Sequence, residues 1–327
     1  MRDVPAVDAL ALAGRVLHDP QPAAGGFSGE TFSGLWFRQR AFVRLYLRDP
    51  ARAQVDLALM HLLEGKVPLA KVLAAVTEVP TAVTGLPAHV VTAAVPGQRA
   101  DSLLNGEMYV PAAAAFGRQN ARVLAVLRQI TFDNSGPLLD RALTPGQWPP
   151  AYASLRALAR HLEPGLSAAG LDVGDHSPLM SALATADARL TGAEPLRSSL
   201  VHGDLNGKNM IVDPNTGRLR AVLDWEHAYA GDWVADLGNL LRGVEAAPRP
   251  TQPATVAFRD GLVGSTHESL HAERAAQSPL PQDWLGRARD RDLFSLLELA
   301  ARPVVGAQAP APVVQARDLL ARRAAPR

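Results

Sequence analysis

The chain begins with short apolar runs separated by turn residues, a pattern typical of a small β-sheet. Strands are predicted in GLWFRQR and in AFVRLYLR (41–48), and Asp49-Pro50 ends the second of them. A helix is predicted next, because the apolar residues of ARAQVDLALMHLLEG recur at helical spacing until Gly65. Two further strands are predicted in KVLAAVTEV and HVVTAAV, and the second stops at Pro96-Gly97.

Beyond Pro96-Gly97 the apolar period becomes helical, which predicts amphipathic helices over 112–130, 151–162 and 178–190. A short β-rich region interrupts these helices with SSLVHGDL, NMIVD and LRAVLDW, and a turn at 214–217 joins the last two pieces. The pattern therefore predicts an α+β fold with two lobes. The first is a small β-rich lobe over 1–95, and the second is a larger, mainly helical lobe over 96–327.

Composition narrows the class of protein and of partner. The 327 residues carry a net charge of +1 and are 47% hydrophobic, as in an ordinary globular protein without a field that would attract nucleic acid or an anionic membrane. Cysteine is absent, which excludes disulfides and cysteine nucleophiles. The sequence has no apolar run of membrane-spanning length and no signal-peptide pattern at its start, so a cytoplasmic location is expected.

Asp204, Asn209 and Asp224 are the candidate chemical groups of the β-rich interruption. Asp204 and Asn209 lie in VHGDLNGKN (201–209), and Asp224 closes the hairpin that follows. A hairpin that turns back would bring Asp224 beside Asn209, where a carboxylate and an amide oxygen suit Mg²⁺. Asp204 would then be free to accept a proton from an attacking hydroxyl. Phosphoryl transfer needs this division of roles.

The segment that holds these residues, HGDLNGKNMIV…AVLDWEHAYAGDWVADLGNL, resembles the signature of the aminoglycoside phosphotransferase and choline kinase-like family. That signature, H-G-D-x-x-x-x-N followed by D-W-E and G-D-x-x-x-D-L, is matched at many fixed spacings. The resemblance implies a two-lobed, protein-kinase-like fold. It also implies a kinase that uses ATP, or another nucleoside triphosphate, and Mg²⁺ to phosphorylate a hydroxyl of a small molecule.

Carried over residue by residue, the resemblance implies that Asp204 is the catalytic base and that Asn209 and Asp224 are the Mg²⁺ ligands. Glu226, in the D-W-E motif, becomes a candidate substrate contact. Two further residues are expected to support the loop around the base: His202 and Asp236.

The Gly-rich turn GGFSGETF (25–32) is the candidate loop that covers the nucleotide phosphates with its backbone N–H groups. Its candidate nucleotide-binding residues are Gly26, Ser28 and Gly29. The turn lacks the complete G-x-G-x-x-G pattern.

The usual ion pair of the kinase fold is altered in this sequence. Arg44 stands closest to the place of the strand lysine, and Asp56 occupies the best-matching position for its helix glutamate. Because a longer base faces a shorter acid, a direct Arg44–Asp56 pair is predicted to hold the phosphates. The adenine is expected to bind the backbone from Ala93 to Val95.

Two other interpretations remain open at this point. A metallohydrolase would use His202, Asp204 and Asp224 as metal ligands, but His227 is the only further histidine nearby. A catalytically inactive kinase-like protein would bind nucleotide or a partner without turnover, although the intact set of Asp204, Asn209 and Asp224 favours an enzyme. The acceptor site is expected among residues 135–195 and 246–327, where no motif identifies the acceptor.

Overall fold

The computed structural model of the chain describes residues 6–23, 30–78, 85–104, 108–193, 197–246, 252–274, 283–304 and 310–324. The strands are, in chain order, β1 His18–Pro22, β2 Thr31–Trp36, β3 Gln39–Leu45, β4 Val72–Val76, β5 His89–Ala93, β6 Gln98–Arg99, β7 Gly136–Pro137, β8 Ser199–Val201, β9 Met210–Val212, β10 Leu219–Val222 and β11 Tyr229–Gly231. The helices are α1 Ala6–Ala13, α2 Arg52–Leu63, α3 Ala100–Leu104, α4 Val110–Gln129, α5 Leu155–His161, α6 Glu163–Ala168, α7 Pro178–Gly192, α8 Val234–Ala246, α9 Pro253–Arg274, α10 Trp284–Ala300 and α11 Ala311–Ala324. Within these segments, no helix has the length and apolar character needed to cross a membrane.

The N-terminal part is built on an antiparallel sheet with the strand order β1-β2-β3-β5-β4. Successive side chains of a strand point to opposite faces, so β3 carries two different surfaces. Ala41, Val43 and Leu45 are buried on one face in a cluster that includes residues of α1. Arg44 is out of phase with them and lies on the other face, where its guanidinium is 5.4 Å from the ring centroid of Tyr46.

Helix α2 connects this sheet to the rest of the chain through its packing. Ala53 of α2 belongs to a small buried cluster with Tyr46. Val55 and Leu59 belong instead to the large core that contains Phe116 of α4. By packing on both sides, α2 fixes the position of the sheet face that carries Arg44 with respect to the C-terminal part.

Two small antiparallel sheets, β10-β9-β6 and β7-β11-β8, support the loops of the C-terminal part. Helix α4 packs along α9, and α10 packs against α8 and α11. The hairpin of β9 and β10 pairs Met210 with Val222, so its open end brings the residue before β9 next to the residue after β10. Accordingly, the Leu223 N–H donates to the carbonyl of Asn209 at 2.8 Å.

The chain passes from β5 to β6 through Pro96-Gly97, and β6 then pairs with β9. Gly97 has a φ of 140°. A Cβ at this position would lie 2.7 Å from Ile211 Cγ2 and 2.8 Å from the carbonyl oxygen of Val212. Only glycine fits this conformation and this close approach of two backbones.

The predicted α+β class is confirmed, as is a β-rich N-terminal region followed by a mainly helical one. The bounds differ by a few residues, and GLWFRQR (34–40), predicted as one strand, contains the turn between β2 and β3. For example, the helix predicted over 112–130 is α4, Val110–Gln129. The sequence did not reveal α1, β1 or β11. The sequence of β1, HDPQP, has no alternating apolar residues. It forms an edge strand because it pairs with β2.

Candidate active site

The loop after β8 is held through its backbone by a buried carboxylate. The His202 N–H donates to Asp236 Oδ2 at 2.7 Å, and the Gly203 N–H donates to Asp236 Oδ1 at 3.0 Å. Asp236 lies in the first turn of α8, where the helix dipole favours a negative charge. Burial nevertheless raises the pKa of Asp236 to about 7, against the lowering effect of the two N–H donors. These contacts are those expected of a residue that supports the loop.

The imidazole of His202 is also used structurally. Its Nδ1 accepts from the Asp204 N–H at 3.2 Å, and its Nε2 lies 2.9 Å from the carbonyl oxygen of Leu223. These partners assign the proton to Nε2, and burial lowers the pKa of His202, which favours the neutral ring. Both nitrogens are therefore occupied, so His202 is not available as a metal ligand. No cluster of three or more His, Cys, Asp or Glu suited to a metal occurs in the described segments.

Gly203 allows the loop to turn between His202 and Asp204. Its φ is +81°, and a Cβ there would lie 2.4 Å from the carbonyl oxygen of His227. A side chain at this position would clash with backbone, so the local fold of the loop requires glycine.

The carboxylate of Asp204 is surrounded by donors. Oδ1 accepts from Asn206 Nδ2 at 2.6 Å. Oδ2 accepts from Asn209 Nδ2 at 2.9 Å and lies 2.8 Å from the ammonium of Lys208. Burial by itself raises the pKa of Asp204, but the charge and hydrogen bond of Lys208 outweigh it and hold the pKa below its usual value. Asp204 is thus an ionised carboxylate in a partly enclosed site.

Lys208 is a residue of this site to which the sequence analysis assigned no role. Its side chain is 21% exposed and faces Asp204 four positions earlier. Asp204 and Lys208 are four positions apart, a spacing that brings side chains together on an α-helix. This segment is instead a loop with a short 3-10 helix at Gly207–Asn209, so the spacing alone did not predict the contact.

Asn209 and Asp224 meet at the open end of the β9–β10 hairpin. Asn209 Nδ2 donates to the carbonyl and to the carboxylate of Asp204, which leaves its Oδ1 without a protein partner in the described structure. Asp224 adopts a left-handed backbone, with φ 62° and ψ 67°, and its Oδ1 accepts from Arg44. The remaining Asp224 oxygen and Asn209 Oδ1 are hard oxygen donors of the kind that Mg²⁺ prefers.

The predicted Arg44–Asp56 pair is wrong in this structure. Arg44 Nη1 donates to Asp224 Oδ1 at 2.5 Å, and Arg44 Nη2 donates to Glu226. Asp56 instead accepts from Arg52 Nε and from the Tyr46 hydroxyl, each at 2.7 Å. Arg52 lies one helical turn before Asp56 and neutralises it locally, so Arg44 turns to the carboxylates of the hairpin and the D-W-E motif.

The remaining candidates are Glu226, the residues expected to bind adenine and those of the Gly-rich turn. Glu226, expected to contact substrate, is an ion-pair partner of Arg44. At the end of β5, the Ala93 N–H donates to Lys71 O at 2.8 Å and the Ala94 N–H donates to Arg40 O at 3.0 Å. No such bond involves the Val95 N–H in the described part of the chain. Three candidates lie outside the described residues: Gly26, Ser28 and Gly29.

A cleft of about 320 Å³ opens beside the loop and is bordered by Gly203 and His227. Its other lining residues come from the region between α4 and α5, from β11 and the start of α8, and from α10, among them Trp148, Tyr152 and Glu298. The sequence indicated the first and the last of these regions for the acceptor but not these residues, because aromatic side chains spaced widely along the chain form no motif.

The family model described as the phosphotransferase enzyme family matches residues 19–274. Among solved structures, a candidate aminoglycoside phosphotransferase from Ralstonia eutropha has a TM-score of 0.62 and 18% identity, and the match covers 97% of this chain and 95% of that one. The GDP complex of an aminoglycoside 2'-phosphotransferase-IIIa mutant has a TM-score of 0.60, 14% identity and coverage of 97% and 96%. A thermostable mutant of aminoglycoside phosphotransferase APH(4)-Ia, in a ternary complex with ADP and hygromycin B, has a TM-score of 0.58, 16% identity and 96% coverage of both chains.

No curated protein matches the chain by sequence. At these identities the structural similarities show the fold, and they confirm the two-lobed kinase-like architecture expected from the sequence.

Proposed function

The chain belongs to the phosphotransferase enzyme family, and from this premise we propose that it transfers the γ-phosphoryl group of ATP, or of another nucleoside triphosphate, to a hydroxyl of a small molecule with Mg²⁺ as cofactor. The observation that carries the proposal is the contact of Asn209 with both the carbonyl and the carboxylate of Asp204, next to Asp224 at the open end of the hairpin. The proposed proton acceptor and the two proposed metal ligands are thus close neighbours.

Asp204 is the proposed base. The acceptor oxygen forms a bond to the γ-phosphorus while the bond from that phosphorus to the β–γ bridging oxygen breaks, and the nucleoside diphosphate leaves. The proton of the acceptor hydroxyl passes to the Asp204 carboxylate, which the Lys208 ammonium keeps ionised. Asn206 and Asn209 hold the carboxylate in one orientation.

Asn209 Oδ1 and the Asp224 carboxylate are the atoms that would hold Mg²⁺. When bound with the triphosphate, this ion neutralises charge on the β- and γ-phosphate oxygens. Because Arg44 is bonded to Asp224 Oδ1, Asp224 Oδ2 is the carboxylate oxygen that would be left for the ion.

The nucleotide site is proposed to lie between the lobe of residues 1–95 and the lobe of residues 96–327. The adenine would bind the backbone at Ala93 to Val95, next to Pro96-Gly97. The Gly-rich turn with Gly26, Ser28 and Gly29 would cover the phosphates. Among the described residues, no backbone hydrogen bond uses the N–H of Val95, two residues after the end of β5, and this supports the position of the adenine.

Phosphate transfer or release from Mg²⁺-ATP, measured on Asp224→Ala, tests the proposed function. The variant should lose nearly all turnover and keep its fold, because the Asp224 side chain is one-third exposed and Arg44 retains Glu226 as an ion-pair partner. Asp213→Ala, at the other end of the same hairpin, is the matched control and should retain activity, although it loses its ion pair with Arg220. Undiminished Mg²⁺-dependent turnover in Asp224→Ala would exclude Asp224 as a metal ligand.

One observation favours the rival function, a kinase-like protein that binds nucleotide without turnover. Arg44 occupies an oxygen of Asp224 that a productive metal site would use. Wild-type protein that binds Mg²⁺-ATP in calorimetry but never releases phosphate, even slowly and at saturation, would establish the rival.

A further inference from the structure

The cleft beside the loop offers ring faces to a ligand. Four of its lining side chains are aromatic: Trp148, Tyr152, Tyr229 and Phe294. The ring of Trp148 is 5.1 Å from that of Tyr229 at an interplanar angle of 76°, and 5.3 Å from that of Tyr152 at 31°. Two nearly perpendicular rings form adjacent walls, and a volume of about 320 Å³ is at the small end for a small-molecule site.

Two of these rings, Trp148 and Tyr152, have their polar atoms bonded within the protein. Trp148 Nε1–H donates to Ser135 Oγ at 2.9 Å, and the Tyr152 hydroxyl donates to Glu298. Since these two donors are used inside the protein, Trp148 and Tyr152 would recognise a ligand through stacking on their faces rather than through hydrogen bonds.

The carboxylates that line the cleft do not give it a strong net negative charge. Asp232 Oδ2 accepts from Arg287 Nε at 2.7 Å and from Arg291 Nε at 3.1 Å, so its charge is compensated twice. Glu298 is bonded to the Tyr152 hydroxyl and is the other carboxylate of the lining. A ligand with several positive charges would meet Arg291 in the same wall and would find little net attraction.

We propose that this cleft binds the phosphate acceptor and that the acceptor is a compact, ring-bearing hydroxyl compound with at most one positive charge, in contrast to a polyamine. The inference rests on the proposed function, because it takes the cleft that borders Gly203 and His227 as the place from which a hydroxyl reaches Asp204. Trp148 and Tyr229 determine the preference for a flat ring face, and Arg291 with Arg287 determines the exclusion of polycations.

The stacking part is tested by calorimetric binding, without nucleotide, of two matched probes: phenyl β-D-glucopyranoside and methyl β-D-glucopyranoside. Both are uncharged and carry the same sugar hydroxyls, and they differ in the aromatic ring. Wild type should bind the phenyl compound roughly three- to tenfold more tightly. Trp148→Ala should abolish the difference, whereas Trp148→Phe should keep most of it, which separates loss of the ring from loss of the fold.

The charge part uses hygromycin B, a polyamine, as the probe. It should bind wild type more weakly than the phenyl glucoside does. Arg291→Gln should raise the affinity for hygromycin B severalfold relative to that for the phenyl glucoside, because it removes the positive charge that a polyamine meets in the cleft wall. Arg259→Gln, which removes an exposed arginine of α9 outside the cleft lining, should change neither.

Equal binding of the two glucosides to wild type, including no binding of either, overturns the stacking part. Hygromycin B binding more tightly than the phenyl glucoside to wild type overturns the charge part. These binding measurements do not involve phosphoryl transfer. Their failure can therefore be distinguished from failure of the proposed kinase activity, which would appear as absence of turnover with Mg²⁺-ATP.

Discussion

Asp204 and Lys208 show how one neighbouring charge sets the state of a candidate base. Burial alone would favour the protonated acid, since it disfavours a charge. The Lys208 ammonium, 2.8 Å from Asp204 Oδ2, reverses the balance and lowers the pKa. The base is therefore ready to accept a proton at neutral pH, although a low pKa also limits its strength as a base.

Lys208→Met should move the acidic limb of the kcat/KM profile to higher pH. Asp204 works only when ionised, so activity is lost as the pH falls through its pKa, and the loss of Lys208 leaves burial as the dominant effect and raises that pKa. Lys66→Met is the control, because Lys66 is an exposed lysine whose ammonium donates to the Leu62 carbonyl, away from Asp204. An acidic limb that stays at the wild-type pH would show that Lys208 does not set the pKa of Asp204.

Arg44→Ala should weaken Mg²⁺-ATP binding by roughly 10- to 100-fold, the range for a lost charge-assisted hydrogen bond. The reason is that Asp224 and Glu226 would be left facing each other without their shared cation. Arg40→Ala, an exposed position of the same strand, should bind normally. Glu226→Gln should weaken Mg²⁺-ATP binding more than Asp56→Asn does. A larger effect of Asp56→Asn would instead support the Arg44–Asp56 pair expected from the sequence.

The partners of Arg44 mark the limit of sequence reasoning at single residues. The chemistry of Asp204, Asn209 and Asp224 follows from residue type and spacing in one continuous segment. The choice between Asp56 and Glu226 depends on how α2 and the hairpin approach β3, which no spacing encodes. One local clue was present: Arg52 is four positions before Asp56 on a helix, where it competes for that carboxylate.

At the scale of elements, the first turn of α8 fastens the loop that follows β8. Asp236 accepts two backbone N–H groups from that loop, and its carboxylate is fully buried with a pKa of about 7. Between about pH 4 and pH 7, Asp236 is therefore protonated in the native state but ionised in the unfolded chain. The stability that Asp236 contributes is greatest below pH 4 and declines as the pH rises through about 7.

Asp236→Asn should reduce the free energy of unfolding by about 1–3 kcal/mol, because a single amide oxygen leaves one buried N–H without an acceptor. The reduction should be largest near pH 4 and should shrink toward pH 7, as the wild-type contribution declines. Urea unfolding of both proteins across this range measures it. A difference that grows with pH would mean that the native carboxylate has a depressed pKa.

The elements themselves were predictable to different degrees. The β9–β10 hairpin carries strong apolar residues on both sides of a Pro-Asn-Thr-Gly turn, so its existence and its open end could be inferred. β11 is three residues long and exists through its pairing with β7 and β8. Such a strand has no pattern of its own, because its hydrogen-bond partners lie far away along the chain.

At the scale of the whole molecule, Gly97 lets the chain cross from the sheet of the N-terminal part onto β9. Gly97→Ala should destabilise the protein by about 1–3 kcal/mol, since it adds a Cβ against Ile211 and Val212 at a φ of 140°. Gly264→Ala is the matched control: the position is within α9 and has no atom within 4 Å of the added Cβ, so about 0.5–1 kcal/mol of stabilisation is expected. Thermal unfolding distinguishes the two, and a neutral Gly97→Ala would contradict the close crossing.

The whole arrangement was predictable in outline because periodicity changes at Pro96-Gly97 and because the signature segment is long. The proposed acceptor cleft was predictable only as two broad regions of the chain, 135–195 and 246–327, and not in its residues. Its rings come from the segment before α5, from β11 and from α10, and they converge only after α10 packs against α8. Tertiary packing of this kind leaves no trace in local residue patterns.

Single-turnover phosphate release from Mg²⁺-ATP by Asp204→Asn tests the central claim most directly. Asparagine keeps the size and polarity of the side chain but cannot take the proton, so ATP affinity should remain at the wild-type level while the rate falls by roughly two to four orders of magnitude. Asp213→Asn, in the hairpin turn, should match wild type in both measurements. A rate for Asp204→Asn equal to that of wild type, with ATP bound equally well, would contradict the assignment of Asp204 as the base.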